Sequence, residues 1–326
     1  MKNINSLIDF EYDECQKYEM LLKKHSDELA EEALKVRNQY FGRKLFVRAS
    51  IEISNYCDNK CAYCGMSKLN TTLKRYALPI DIIKKTIDEI AALGIKQVHM
   101  VGGEYADTNL DEICDCIKYA HSNGLHTTVV LGKKSEEEYQ CLYDAGAERY
   151  IIKFETSNPV LFEKYKHSEL NDRLEQLFIL RKIGFKIGTG IIVDLPGTSF
   201  EDDVRSLKMI DDIKPDMASA SEFSPNGESK LKDYKANGIE NTLKFISAMR
   251  IVLNKNTPII SCSSSLGGEG QYRALMSGAN LISYHATPKD YINCFSSYRS
   301  KDRIKRKLEE IEKIAFRCNL EIGEYV

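Results

Sequence analysis

The sequence predicts an α/β chain whose main body is a (β/α)8 barrel of the TIM type. Three observations predict it. From Leu45 onward, eight short strand-like runs alternate with helix-like segments. Glycine repeatedly stands where a helix has to end, at Gly94, Gly124 and Gly184. No low-complexity linker and no repeat beyond the alternation itself divides the 326 residues. Alternating βα units imply a parallel sheet covered by helices, and eight of them can close into a barrel.

The elements follow in order. Asp9 to Phe41 reads as helix with room for one break, with Leu21, Leu22, Leu29, Ala33, Leu34 and Val36 as its apolar positions among many Glu and Lys;. The expected strands are Leu45–Ile53, Gln97–Val101, His126–Leu131, Arg149–Glu155, Lys186–Val193, Asp216–Ala220, Pro258–Cys262 and Asn280–Tyr284. Between them, helices are expected from Leu78-Pro79 to Leu93, with Pro in the first turn, and over Leu110–Asn123, Ser135–Ala145, Pro159–Lys166, Asn171–Ile183, Ser199–Ile213 and Glu240–Leu253;. A Gly-rich loop and a helix through Met276 precede the last strand, and a charged helix, Lys301–Cys318, closes the chain. The expected division is an N-terminal helical extension over 1–44, the barrel over 45–288 and a helical tail over 289–326.

Composition excludes several functions. Charged residues make up 29% and the net charge is −2, so the chain carries no basic footprint for nucleic acid;. The start, MKNINSLIDFEYDE, has no apolar leader, and no run of eighteen apolar residues occurs, which predicts a soluble, cytoplasmic protein that avoids membranes;. In that compartment the ten cysteines are expected as thiols rather than disulfides;.

The chemistry concentrates in Ser54-Asn55-Tyr56-Cys57-Asp58-Asn59-Lys60-Cys61-Ala62-Tyr63-Cys64-Gly65. Three cysteines spaced C-x3-C-x2-C follow the first strand. Cysteine thiolates hold iron–sulfur clusters. Three of them ligate three irons of a [4Fe–4S] cluster and leave the fourth iron open. A structural zinc loop would need a fourth ligand, and the next Cys or His downstream is His99, without a C-x2-C pair;. A redox C-x-x-C motif leaves Cys57 unexplained. Catalytic groups of such barrels sit at the C-terminal ends of strands, which puts this loop at the mouth.

This loop resembles the signature of the radical S-adenosylmethionine (SAM) superfamily. From about Glu31 to Pro288 the chain is similar to its full-barrel branch, which includes the HydE-type maturase of [FeFe]-hydrogenase, methylornithine synthase and biotin synthase. Phe154-Glu155-Thr156-Ser157, Leu195-Pro196-Gly197 and Ser277-Gly278-Ala279-Asn280 carry the rest of the likeness. The resemblance implies that Cys57, Cys61 and Cys64 hold a [4Fe–4S] cluster whose open iron takes the amine and carboxylate of SAM. It places Tyr63 near the adenine, Gly102, Gly103 and Glu104 at the SAM amine, Glu155 at the ribose or amine and Arg173 at the carboxylate. The turn from Val193 through Leu195 to Gly197 would meet the adenine through its backbone. Ile151, Lys153 and Glu155 share one strand face by the two-residue period, and such charges suit a barrel mouth better than a dry core;.

The resemblance further implies reductive cleavage of SAM to a 5′-deoxyadenosyl radical, fed by an electron donor such as flavodoxin or ferredoxin, in the style of cofactor biosynthesis. The hydroxyl-rich late strand ends suit a small polar, amino-acid-like substrate. The candidates are Ser221, Ser263, Ser265, Tyr284 and His285, with Ser219, Glu222, Ser261 and Ser264 beside them. The sequence also departs from its relatives. HydE-type relatives have Gly-Glu-Asp-Pro after the second strand, where this chain has Gly103-Glu104-Tyr105-Ala106-Asp107. The strand cysteines of a biotin-synthase second cluster are missing, against the alternative of sulfur insertion. A non-catalytic iron–sulfur protein, the other alternative, would not need Glu155, Arg173 or a full barrel. Cys114 and Cys116 lie on a helix, and Cys141, Cys294 and Cys318 are scattered.

Overall fold

The computed structural model describes residues 7, 12–262, 266–297 and 307–323. Eight parallel strands form the barrel: β1 (Lys44–Glu52), β2 (Gln97–Val101), β3 (His126–Val130), β4 (Ala147–Ile151), β5 (Lys186–Val193), β6 (Met217–Glu222), β7 (Ile259–Cys262) and β8 (Leu281–His285). They pair in sequence order, and β1 pairs with both β8 and β2, so the sheet closes on itself. A two-residue strand unforeseen in the sequence, β9 (Glu321–Ile322), lies beside Lys44 and Leu45 at the start of β1.

The outer helices run over Ile80–Ala92, Leu110–Ser122, Glu136–Asp144, Pro159–Lys166, Leu170–Ile183, Phe200–Ile213, Glu240–Leu253 and Gly267–Met276. Two begin with capping boxes, Ser135 with Glu138 and Ser199 with Asp202. Each such cap satisfies amides the helix itself cannot, worth about 1 kcal/mol. The N-terminal helix breaks once, at Lys24–His25, between Gln16–Lys23 and Ser26–Phe41. The closing helix is described over Leu308–Arg317; residues 301–306, where the sequence also suggests helix, lie outside the described residues. Among the described residues, no helix is long and apolar enough to cross a membrane.

Parallel register decides which side chains face the barrel axis, because register partners share a face and the face alternates along each strand. Phe46 pairs with Leu281 and Met217 with Ile259; with Ile151 they form a separate apolar cluster that plugs one end of the barrel. One step further along, Arg48 pairs with Ser283 and Ser219 with Ser261; a further step on β1, Ser50 pairs with His285 and with His99. The interior therefore changes from apolar floor to polar chamber within two residues.

Two features of the strand ends matter. Regular β4 ends at Ile151, short of Glu155, which adopts a left-handed backbone, φ +63°; Ile151, Lys153 and Glu155 nevertheless all line the cavity, as the two-residue period implies;. Glu155 keeps its place at the barrel through an isolated parallel bridge to Ile191. Its amide donates to Gly190 O (3.1 Å) and its carbonyl accepts from the Ile192 amide (2.8 Å). The turn Ser277–Asn280 is fastened by Arg250, which is fully buried and donates to Gly278 O, Thr257 O and Asn280 Oδ1 at 2.9–3.0 Å. That stretch positions β8 and does not reach the cavity.

Candidate functional site

A cavity of about 330 Å³ opens at the C-terminal ends of the strands. Cys57, Cys61, Tyr63 and Cys64 line it together with Gly102, Gly103, Glu104, Glu155 and Arg173. Side chains from the β1 loop, the β2 loop, the segment after β4 and the Leu170–Ile183 helix thus converge on one space.

The loop that carries the cysteines has almost no regular structure between Glu52 and Ile80. Polar side chains hold it instead. Arg75 donates to four carbonyls, those of Asn55 (2.7 Å), Met66 (2.8 Å), Ser67 (2.8 Å) and Asn70 (3.2 Å). Asn55 is fully buried and bonds the carbonyls of Lys74 and Cys294 and the amide of Tyr76. Asn70 donates to Gly65 O (2.7 Å). The loop also docks on β2's exit, where the Asp58 amide donates to Glu104 O (2.7 Å) and the Ala106 amide to the Asp58 carboxylate (2.9 Å). On its other side the Ala62 amide donates to Tyr165 O (2.8 Å), at the end of the Pro159–Lys166 helix.

Burial pushes the Cys64 thiol up to about 12, with Cys61 and Cys57 adding to the rise, and burial also raises Cys57. Buried thiols of this kind are protonated until a metal takes the sulfur, so loading the site releases protons. Lys166 opposes the rise at both sulfurs. Among the described residues no group of three His, Cys, Asp or Glu side chains is drawn tightly enough to enclose a single ion. Three cysteine sulfurs from one loop at the rim of a single cavity suit a cluster, whose irons are held by thiolates;.

Glycine makes this close approach possible. A Cβ on Gly103 would overlap the Tyr56 carbonyl and lie 2.7 Å from Cys57 Cβ. A Cβ on Gly132, which also lines the cavity at φ +72°, would overlap the Glu104 side chain. Gly103→Ala should therefore displace the cysteine loop, with an overpacking cost of about 1–3 kcal/mol. The expected result is a folded chain that takes up less than half the wild-type iron after reconstitution, checked by iron and sulfide analysis; wild-type iron content would refute it.

Arg173 is buried and its Nη2 lies 3.1 Å from Glu104 Oε2. Burial alone would raise the Glu104 carboxyl, but the charges of Arg173 and Lys166 and hydrogen bonds from the Lys133 backbone and Asn59 outweigh it and hold Glu104 below the ordinary range. Lys153 Nζ lies 3.1 Å from Glu155 Oε2, an ion contact. The site thus presents two partly buried ion pairs, suited to a zwitterionic ligand with one amine and one carboxylate;.

Beneath lies the polar chamber. Arg48 donates to Ser283 Oγ (2.9 Å) and Ser261 Oγ (3.5 Å). His99 is buried, with Nδ1 3.1 Å from Ser50 Oγ and Nε2 without a partner. Burial, with Arg48 and His285 nearby, holds the His99 imidazolium well below the usual range, so the ring is neutral. Thr189 adds a buried hydroxyl without a partner at the cavity wall.

The late-strand candidates divide. Ser221 and His285 line the cavity, as do Ser219, Glu222 and Ser261. Tyr284 does not. It pairs in register with Ala49 on the outward face, packs in the main core, and has Glu89 and Glu309 as its nearest charges. Since Tyr284 sits between two inward residues, strand alternation sends it outward, and Ser283 takes the inward place. Val193 also packs in the main core, and its carbonyl accepts from the Phe223 amide (2.8 Å); Ile192 is the residue that reaches the cavity. Leu195 joins Ala62, Leu161, Tyr165, Phe223 and Leu231 in a small cluster that packs against Tyr63. Ser263, Ser264 and Ser265 lie outside the described residues. Arg48, Ser50, His99, Gly132 and Thr189 were missed. The alternation of polar Arg48, Ser50 and Glu52 with apolar Val47, Ala49 and Ile51 was a usable signal for the first two.

Comparison with known proteins places the chain in a family. The profile of the Radical SAM superfamily matches residues 51–210. The [FeFe] hydrogenase maturase subunit HydE of Thermotoga maritima is 32% identical over 82% of this chain and 77% of its own. The 3-methylornithine synthase of Methanosarcina acetivorans is 28% identical over 77% of this chain and 72% of its own. A crystal structure of methylornithine synthase (PylB) superposes with a TM-score of 0.86 at 22% identity, covering 98% of this chain and 97% of that one, a likeness of fold. The chain belongs to the radical SAM superfamily, whose enzymes work with a [4Fe–4S] cluster and S-adenosylmethionine.

Proposed function

We propose that this enzyme acts on a small, polar, amino-acid-like molecule held in the chamber below SAM, in the manner of HydE or methylornithine synthase. One observation carries the reading: three thiols, two partly buried ion pairs and a polar chamber share a single cavity. Cys57, Cys61 and Cys64 hold the cluster in this reading. When bound, it supplies the electron that cleaves SAM to methionine and a 5′-deoxyadenosyl radical. The protein's own part is binding, orientation and the exclusion of competing reactions. Arg173 grips the SAM carboxylate, Glu104 with Gly102 and Gly103 meets the amine, and Glu155 meets the ribose. Tyr63 and the turn through Leu195 cover the adenine. Ser221, Ser283, His285, Arg48 and neutral His99 supply the hydrogen bonds for the substrate. A reducing donor such as flavodoxin or ferredoxin delivers the electron.

Sulfur insertion of the biotin-synthase kind finds less support. Cys262 is the one cysteine on a described barrel strand; it lines the cavity, but one strand cysteine does not make up the set that a second cluster would need, and its Sγ donates to Leu281 O (3.2 Å);. The test is anaerobic reconstitution, reduction and addition of SAM. We expect 5′-deoxyadenosine from the wild type and a loss of at least a hundredfold in Cys61→Ser. An intact cluster that yields no 5′-deoxyadenosine would sink the enzyme reading, and full activity in Cys61→Ser would sink the ligand assignment. Deuterium transfer into 5′-deoxyadenosine from labelled amino acids tests the substrate class.

A further inference from the structure

Away from the cavity, the helices Leu110–Ser122 and Glu136–Asp144 bring together two cysteines that stand 27 residues apart in the sequence. Cys114 Sγ lies 3.4 Å from Cys141 Sγ and 3.6 Å from Cys141 O. The first sulfur is buried and the second residue is exposed. They sit in an open surface recess of about 650 Å³ that also presents Lys118, Glu136 and Gln140. Neither lines the barrel cavity. Cys116, two residues along the same helix, is fully buried and is not part of the recess.

We propose that Cys114 and Cys141 form a surface dithiol that reacts with small disulfides such as oxidised glutathione and closes into an interhelical disulfide. The exposed Cys141 loses its proton to solvent and attacks one sulfur of the small disulfide. That S–S bond breaks, a mixed disulfide forms on Cys141, and one thiolate leaves and picks up a proton. Cys114, deprotonated in turn, attacks the Cys141 sulfur and expels the second thiolate. The two cysteines lose two electrons and the small disulfide becomes two thiols. Bond formation needs the sulfurs to close from 3.4 Å to about 2.05 Å;. An accessible attacking thiol beside a resolving one is the arrangement that disulfide exchange uses. Burial and the neighbouring Cys141 thiol raise the Cys114 thiol to about 12. That disfavours the reduced pair as thiolates and favours the closed bond once it forms. The two helices begin just beyond the loops of Glu104 and Gly132, so the bond would staple the elements that hold that carboxylate.

The test treats the anaerobic, cluster-loaded protein with oxidised glutathione, blocks free thiols and maps peptides by mass. The expected result is a linked peptide joining 114 to 141, a loss of two thiols, unchanged cluster absorbance and a Tm higher by a few degrees. Cys114→Ser should stop at a glutathione adduct on Cys141, and Cys141→Ser should remain unreacted at Cys114. A wild type that leaves both thiols free, or that keeps a lasting adduct on Cys141, would overturn the proposal.

Discussion

Arg75→Ala should leave the barrel folded and strip it of most of its iron. Among the described residues the guanidinium is the group that spans the four carbonyls of Asn55, Met66, Ser67 and Asn70. A hydrogen bond from a charged donor contributes about 1.5–3 kcal/mol. Solvent replaces part of that when the donor is lost, so a net local penalty of about 3 kcal/mol is a fair sum. A penalty of that size lowers the population of the ordered loop by about a hundredfold. The loop is irregular and surface-bound, so this opening is local rather than global. Iron and sulfide per chain should fall below a third of wild type, while far-ultraviolet circular dichroism is unchanged. Arg75→Lys should recover little, because an ammonium is a point donor and cannot reach both ends of the fork. Full iron loading of Arg75→Ala would show that the cysteines order the loop unaided.

That loop also shows where sequence reading stops. The cysteine spacing alone located the candidate cluster site, and the alternation of strands and helices alone placed it at a barrel mouth. Both signals are periodic or local, so a sequence carries them openly. The anchoring of the loop is neither. Arg75, Asn55 and Asn70 act through backbone carbonyls, whose positions depend on the folded path of the chain and leave no residue-type signature. Gly132 is a similar case. It reads as an ordinary turn glycine, and only the packing of Glu104 against it reveals why a Cβ cannot be there. Tyr284 failed for the opposite reason. Its polar hydroxyl suggested a site, while the two-residue alternation that should have overruled it was applied to the fourth strand and not to the eighth. Glu155 reaches the cavity together with Ile151 and Lys153, as the two-residue alternation implies, although its own backbone is left-handed.

The Glu104–Arg173 pair should behave as a unit in stability and as two separate contacts in SAM binding. Each single change, Glu104→Gln or Arg173→Met, leaves one buried charge without its partner, which costs about 3–5 kcal/mol in buried pairs. Glu104 retains some exposure, 21% against 7% for Arg173, so Arg173→Met should fall at the lower end and Glu104→Gln at the upper. The double variant removes both charges and should regain more than half of the lost stability, a coupling that thermal or urea unfolding measures directly. SAM binding should not recover with it, because a zwitterion needs both groups. Equilibrium dialysis should find affinity reduced at least tenfold in all three variants; recovered affinity in the double variant would dissociate the pair from SAM. The pH dependence has a fixed sign. Glu104 titrates below its unfolded value of 4.5, so its stabilisation is present above that pH and disappears as pH falls through the lower folded value;. The Tm difference between wild type and Glu104→Gln should therefore be constant near neutrality and shrink below about pH 4.5. A difference that instead grew on acidification would mean that burial, and not Arg173, governs this carboxylate.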